Sequence, residues 1–241
     1  MSMGSAAVLT VSAFILQSRL AAGYKVLAAL DVWGTSALIY LTIMFGLKEL
    51  FGVDTGAGYK PDLRSLKGAA ITFLLFPYRL VAWSLIWLFR AAGDNPIDKV
   101  GDKLFLSGRL VFADKKRFDE ARIGAVIDVC AELPEWRRIT ADPSIKYLSL
   151  PVPDNCAPSP KQAEAAVAFA REQMKEGRNV LVHCAYGHGR SAAAAAMILI
   201  DSGQAGSPDE ALKSLRKARK AVDLSANQRE ALIRWHNRGL T

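Results

Sequence analysis

Cysteine is scarce in this chain: Cys130, Cys156 and Cys184 are the only three among 241 residues, at irregular spacing. That excludes a disulfide framework and a zinc-finger pattern, and points to a reducing compartment. There is no internal repeat, no low-complexity tail and no Gly-Lys-Ser/Thr nucleotide loop. Charge is also thin at the start. Before Pro96 there are eight Lys/Arg and five Asp/Glu, against 23 and 18 from Pro96 onward. Hydrophobic residues make up 51% of the chain, the mean hydropathy is +0.14 and the net charge is +8. The basic balance suits anionic partners such as a membrane surface or a phosphorylated substrate.

The charge-poor region holds two long apolar runs. Val26–Leu47 carries one charge, Asp31, and Gly68–Phe89 ends with three aromatics in seven residues. Both match the roughly 20 residues a spanning helix needs, and terminal aromatics suit an interface. Pro77 and Arg79 interrupt the second run, which makes it a candidate to tilt, dip or pack its arginine inward. Ala6–Leu16 is too short to count alone, and it lacks the basic flank and cleavage site of a removed signal. The alternative is a pair of core helices in a soluble domain, but so little charge over such lengths favours the membrane. The expectation is an anchor over residues 1–95 with two transmembrane helices, or three. The connector Lys48–Lys67 has four basic and three acidic residues, so charge does not set its orientation.

From Pro96 the pattern becomes that of a catalytic domain over residues 96–241. Short apolar runs at 103–108, 124–130, 145–150 and 179–184 read as strands. Between and after them stand three Ser-x-x-Gln/Glu capping signatures, starting at Ser159, Ser207 and Ser225. Pro160 and Pro208 occupy first helical positions, and Gly177 closes a helix before the last strand. The expected class is α/β, with a mainly parallel central sheet flanked by helices and an N-terminal transmembrane helical region before it.

The stretch VHCAYGHGRS (182–191) lies between the apolar strand and SAAAAAMILI, a strong helix former. The loop therefore leads into a helix N-terminus, where free amides and the dipole favour an anion. A cysteine facing such a site has its thiolate, the reactive form, stabilised. Gly187 and Gly189 let the loop turn its amides inward. Arg190 offers a planar fork for two phosphate oxygens, and Ser191 can donate to the sulfur. His183 reads as a loop support. His188 is either a rim residue near substrate or solvent-exposed.

HCAYGHGRS resembles the His-Cys-x5-Arg-Ser/Thr signature of the cysteine-dependent protein tyrosine phosphatase superfamily. The resemblance runs from about Pro96 to Leu240 and is closest to the small dual-specificity phosphatases. IDVCAELPE (127–135) is similar to a strand and loop in bacterial membrane-associated members, and the layout is similar to the mitochondrial phosphatidylglycerophosphate phosphatases. The resemblance implies Cys184 as nucleophile, Arg190 as phosphate clamp, Ala185, Tyr186, Gly187, His188 and Gly189 as the substrate cradle, and Ser191 as an aid to the leaving thiolate. It also implies a general acid on a nearby loop. Asp154, in the proline-rich PVPDNCAPSP, fits that pattern better than Asp128, which lies within an apolar strand.

The signature names a reaction, phosphomonoester hydrolysis through a phosphocysteine, and not a substrate. Positions 185–189 contain no lysine, unlike phosphatases of the tensin-like kind that act on multiply phosphorylated inositol heads. Lys213, Arg216, Lys217 and Lys220 form a stripe at helical spacing that suits anionic headgroups or simply a solvated face. A lipid phosphate such as phosphatidylglycerophosphate ranks first as substrate, and a phosphotyrosine or phosphoserine protein second. A silent phosphate-binding module, or a redox pair of Cys156 and Cys184, ranks lower. The expected partners are the phosphomonoester and membrane lipids, with no nucleic acid, no cofactor and no metal. The expected location is the membrane, multi-pass, with the catalytic part cytoplasmic.

Overall fold

The computed structural model describes residues 25–51, 60 and 65–238. The chain divides into two compact units, Met1–Trp83 and Ser84–Thr241, a division that falls ahead of Pro96. In the first, α1 (Lys25–Phe51) is a single long helix, and α2 (Leu66–Leu74) starts at Ser65, whose hydroxyl accepts from the Gly68 amide at 3.0 Å. Helix α3 (Phe76–Ala91) follows after a break at Leu75, and the two helix axes bend by 58°.

Pro77 accounts for the break. It has no N–H for the Phe73 carbonyl, one turn earlier. Trp33 Nε1 donates to that carbonyl instead, at 3.0 Å, and its ring stacks on Phe73 at 4.6 Å. Arg79, which is buried, turns back and donates from Nη1 to the Thr72 carbonyl at 2.7 Å. The two irregular residues of this run thus form one device. The run Gly68–Phe89 is therefore bent next to Pro77 with Arg79 packed inward, one of the accommodations these two residues suggested. Among the described residues no single helix is long and apolar enough to cross a membrane; α2 and α3 reach that length only as a bent pair, and the apolar stretch described within α1 is Val26–Tyr40. The two full spans expected over residues 1–95 are thus not shown, and the third candidate, at Ala6–Leu16, lies outside the described residues.

The second unit is built on a five-stranded sheet of order β1-β2-β5-β3-β4. The strands are β1 (Ile97–Gly101), β2 (Leu104–Ser107), β3 (Ile123–Cys130), β4 (Lys146–Val152) and β5 (Asn179–His183). β2, β5, β3 and β4 are parallel, as expected, while β1 pairs antiparallel with β2 and makes the sheet mixed. β1 escapes a sequence reading because IDKVG carries two charges in five residues. Side chains alternate across β5: Val180 and Val182 enter the larger core, Leu181 the smaller one on the opposite face.

Helices cover both faces. α4 (Lys115–Glu120) and α5 (Arg137–Ala141) contribute Phe118 and Ile139 to the smaller core. On the other side lie α6 (Pro160–Lys175), α7 (Arg190–Asp201), α8 (Pro208–Ala218) and α9 (Ala226–Arg238). α6 opens with both bonds of its capping box, between Ser159 and Gln162, and α9 with the same pair from Ser225 and Gln228. At α8 only half the box forms, because Glu210 reaches the Gly206 amide instead.

Helix α7 is the centre of the unit. Every residue from Arg190 to Leu199 is buried, so the helix has no solvent face before its last two residues, and its five consecutive alanines let the sheet and the flanking helices approach closely. Substituting Ala195→Leu should destabilise this unit by about 1–3 kcal/mol through overpacking. A thermal or denaturant melt of the full chain in detergent checks it.

Candidate active site

Three parallel strands end at one place. The chain leaving β5 forms the loop 184–189, the chain leaving β3 carries Glu132, and the chain leaving β4 carries Asp154. Ligand sites form at such carboxyl ends of parallel strands. The cleft there has a volume of about 230 Å³ and is lined by Cys184, Arg190, Asp154, Tyr186, His188 and Gln228, among others.

Cys184 is buried at its base. The Gly187 amide and the Ser191 hydroxyl each donate to its sulfur at 3.2 Å. Burial alone would raise the thiol's pKa, but the Arg190 charge and these two donors override it and hold the thiol below its ordinary value. The loop can do this because of its glycines. Gly187 has φ +79°, and a Cβ there would lie 2.6 Å from the Gly108 nitrogen. A Cβ on Gly189 would meet Gln228 at 2.7 Å.

Arg190 has a side chain only 1% exposed. Its Nη1 and Nη2 donate to the two Glu132 oxygens, each at 2.7 Å, and Nη1 also donates to the Val152 carbonyl at 3.0 Å. Those bonds engage three of the five guanidinium N–H groups, leaving Nε and one proton on Nη2. Asp154 Oδ1 lies 3.0 Å from that Nη2, and the Asp154 side chain is 42% exposed. Burial would lower the arginine's pKa, yet Glu132 raises it well above its ordinary value. Burial would likewise raise the Glu132 carboxyl, and the guanidinium holds it below the carboxylate range. Asp154 sits in a turn closed by the Cys156 amide donating to the Pro153 carbonyl at 3.1 Å, with Asn155 in the left-handed region (φ 57°) that asparagine tolerates.

The structure thus brings together Cys184, Arg190, Ser191, Asp154 and the loop 185–189. Asp128 is elsewhere in its bonding: it is fully buried, accepts from the Cys130 amide at 2.8 Å and from the Tyr147 hydroxyl at 2.7 Å. His183 points away from the cleft. Its Nε2 donates to Glu135 Oε2 at 2.6 Å, and Nδ1 lies 3.4 Å from the Cys184 carbonyl. Burial lowers the imidazole's pKa, but Glu135 and Asp128 raise it overall, and Glu135 itself falls to about 2.

Ligand atoms of Asp128, Glu135 and His183 lie within 4.8 Å of one another. Arg109 Nη1 already brings a cation to Glu135 at 2.9 Å, and Tyr147 occupies Asp128, so the cluster's charge is met without a metal. Glu132 is the residue that sequence reasoning missed. It lies within the quoted AELPE, yet its partner is 58 residues away.

This geometry has a direct chemical consequence. Alkylation of Cys184 by iodoacetate should show a midpoint below the value of about 8.5 for a free thiol. Ser191→Ala, which removes one donor to the sulfur, should move that midpoint upward. A titration of alkylation rate against pH reads both.

The dual specificity phosphatase catalytic-domain model matches residues 104–238, more than half of the chain. The human protein named phosphatidylglycerophosphatase and protein-tyrosine phosphatase 1 is 29% identical over 109 residues, 45% of this chain and 52% of that one. The chain therefore spans about half the length of this relative. Among solved structures, PTPMT1 in complex with PI(5)P superposes with a TM-score of 0.55 at 22% identity, covering 60% of this chain and 96% of that one. Tk-PTP in its active form gives 0.54 at 26% identity, covering 59% and 97%. The first of these shows a shared fold; the family match shows more. The chain belongs to the dual specificity phosphatase family, matched over that family's catalytic domain.

Proposed function

We propose that this chain is a cysteine-based phosphatase that works at a membrane on a lipid phosphate monoester, phosphatidylglycerophosphate being the leading candidate. The observation that carries the membrane half is the distribution of exposed apolar side chains. Among the described residues, every exposed large apolar side chain except Phe112 and Ile233 lies on α1, α2 or α3, with Val26, Leu66, Phe73 and Trp87 among the most open. Surfaces of that kind mark a membrane or a partner, and lipid covers them without any further protein. The lipid named for the human relative supports the substrate class. That name also includes protein-tyrosine phosphatase, which keeps a phosphoprotein as the second reading.

In the mechanism, the Cys184 thiolate attacks phosphorus while the bond from phosphorus to the alkyl oxygen breaks. The phosphate oxygens take up the N–H groups of the loop 185–189 and the Arg190 donors that Glu132 and Val152 do not use. Asp154, whose Oδ1 lies 3.0 Å from Nη2 in the free enzyme, moves toward the leaving oxygen and gives it a proton. The product alcohol departs and a phosphocysteine remains. Water then attacks phosphorus, its proton passes to the Asp154 carboxylate, and the sulfur leaves as thiolate, aided by the Ser191 hydroxyl.

Phosphate release from phosphatidylglycerophosphate in mixed micelles should exceed release from phosphotyrosine and phosphoserine peptides at equal concentration. A faster rate on peptides would reverse the order of the two readings. Asp154→Ala should slow hydrolysis of an alkyl phosphate by about 10²–10⁴-fold, the usual contribution of a general acid. A nitrophenyl phosphate, whose leaving group needs no proton, should lose far less. Steady-state rates on both substrates check the difference, and equal losses would remove Asp154 from the role.

A further inference from the structure

Helix α3 does not end as a plain linker. At its C-terminus the Gly93 amide donates to the Arg90 carbonyl and the Asp94 amide to the Phe89 carbonyl, each at 3.1 Å, with Gly93 at φ +97°. This is the tight helix stop that only glycine makes cheaply. It turns the chain back so that Asp94 meets the phosphate loop. One oxygen, Asp94 Oδ2, accepts from His188 Nε2 at 2.7 Å and from Arg219 Nη2 at 3.0 Å. The same Arg219 nitrogen donates to the Tyr186 carbonyl at 2.9 Å. Its other nitrogen, Nη1, donates to the Asn95 carbonyl at 2.7 Å and to Asp98 at 2.9 Å. Phe89, one turn back, packs edge-on against the Tyr186 ring at 5.4 Å and the His188 ring at 5.1 Å.

These contacts fall on either side of Gly187. That glycine is the left-handed pivot of the loop and donates to the Cys184 sulfur. A glycine pivot has the most conformational freedom of any residue, so its amide stays aimed only if its neighbours are held. Tyr186 is held by its carbonyl and ring, His188 by its ring and imidazole nitrogen. Asp94 is the atom-level junction of both restraints.

We propose that Asp94 is a positioning residue for catalysis, acting through His188 and Arg219 to fix the loop around Gly187. The segment Phe89–Asn95, the last turn of α3 and the residues that follow it, then belongs to the catalytic machinery and not to a spacer. The inference rests on the reading that loop 185–189 cradles the phosphate, but not on the lipid being the substrate. Restraint of this kind matters most where the amides meet the charge of the transition state, so its loss should appear in kcat more than in KM.

The test uses the full chain in detergent with nitrophenyl phosphate, alongside thermal melts. Asp94→Ala should lower kcat by about tenfold or more, the scale of a small misplacement of reacting groups, with KM changed by less than about threefold. Asp94→Asn keeps an oxygen that accepts both bonds and should recover most of that loss. His188→Ala removes one restraint from the loop side and leaves the Arg219 contacts in place, so kcat should fall even if Asp94→Ala does not fold. A kcat within about twofold of the parent for either alanine variant, or an asparagine variant as slow as the alanine one, would overturn the proposal. A Cys184→Ser chain separates the two layers of argument. Turnover remaining there removes the covalent reading itself; a dead Cys184→Ser with an intact Asp94→Ala removes only the role of Asp94.

Discussion

The buried pair of Arg190 and Glu132 is the constraint on which the rest of the site depends. Both side chains are 1% exposed. A lone guanidinium at that depth would cost several kcal/mol in lost hydration, so it needs a paired carboxylate with good geometry. The two-pronged contact supplies it, and the Val152 carbonyl satisfies a further proton. Three chain segments are locked together as a result: the loop after β3, the end of β4 and the first turn of α7. The guanidinium is thereby fixed beside the sulfur, and its charge is the largest influence that opposes burial at Cys184. A thiol held below its ordinary pKa at the base of the cleft is the product of that arrangement.

A second layer repeats the logic behind the loop. Glu135, three residues after Glu132, pairs with Arg109 and His183, while the Arg109 amide donates to the Ala185 carbonyl at 2.8 Å. Arg109 also donates from Nε to the Pro134 carbonyl at 2.6 Å. The β3 loop thus faces the site with one carboxylate and the scaffold with the other. Pro134 lies between them and restricts that loop. His183, next to the nucleophile in sequence, takes part in the scaffold layer and not in the chemistry. Arg190 with Glu132, and Arg109 and His183 with Glu135, each find a counter-ion within hydrogen-bond reach.

How much of this was legible in the sequence follows from the range of each interaction. Cys184, Gly187, Arg190 and Ser191 lie within eight residues, and local spacing is enough to place them on one turn of chain entering a helix. Asp154 could be singled out because prolines on both sides mark a loop at a strand's end. Glu132 could not, since its pairing spans 58 residues and its sequence neighbourhood reads as an ordinary strand end. Arg219 was hidden in another way. The exposed basic stripe beside it drew attention to Lys213, Arg216, Lys217 and Lys220, whereas Arg219 turns inward to Asp94 and Asp98. Helix α8 in fact stops at Ala218, so Lys220 lies beyond it and the stripe is shorter than its spacing suggested. The β1 strand was missed for a related reason: Asp98, a polar residue within it, is buried because Arg219 meets it there.

The apolar N-terminal region shows the same accounting. A proline and an arginine in one apolar run read as two separate costs, one of a lost hydrogen bond and one of a charge away from water. In the folded chain they cancel part of each other. Pro77 breaks the helix and frees carbonyls near the end of α2, and Arg79, two residues on, carries donors back to that end at Thr72. Trp33 supplies the remaining donor to Phe73. Non-helical backbone is tolerated in an apolar setting only where its polar groups are met within the protein. The bend satisfies that condition through Arg79 and through Trp33 on α1, so the irregular pair Pro77 and Arg79 costs less together than either residue would alone.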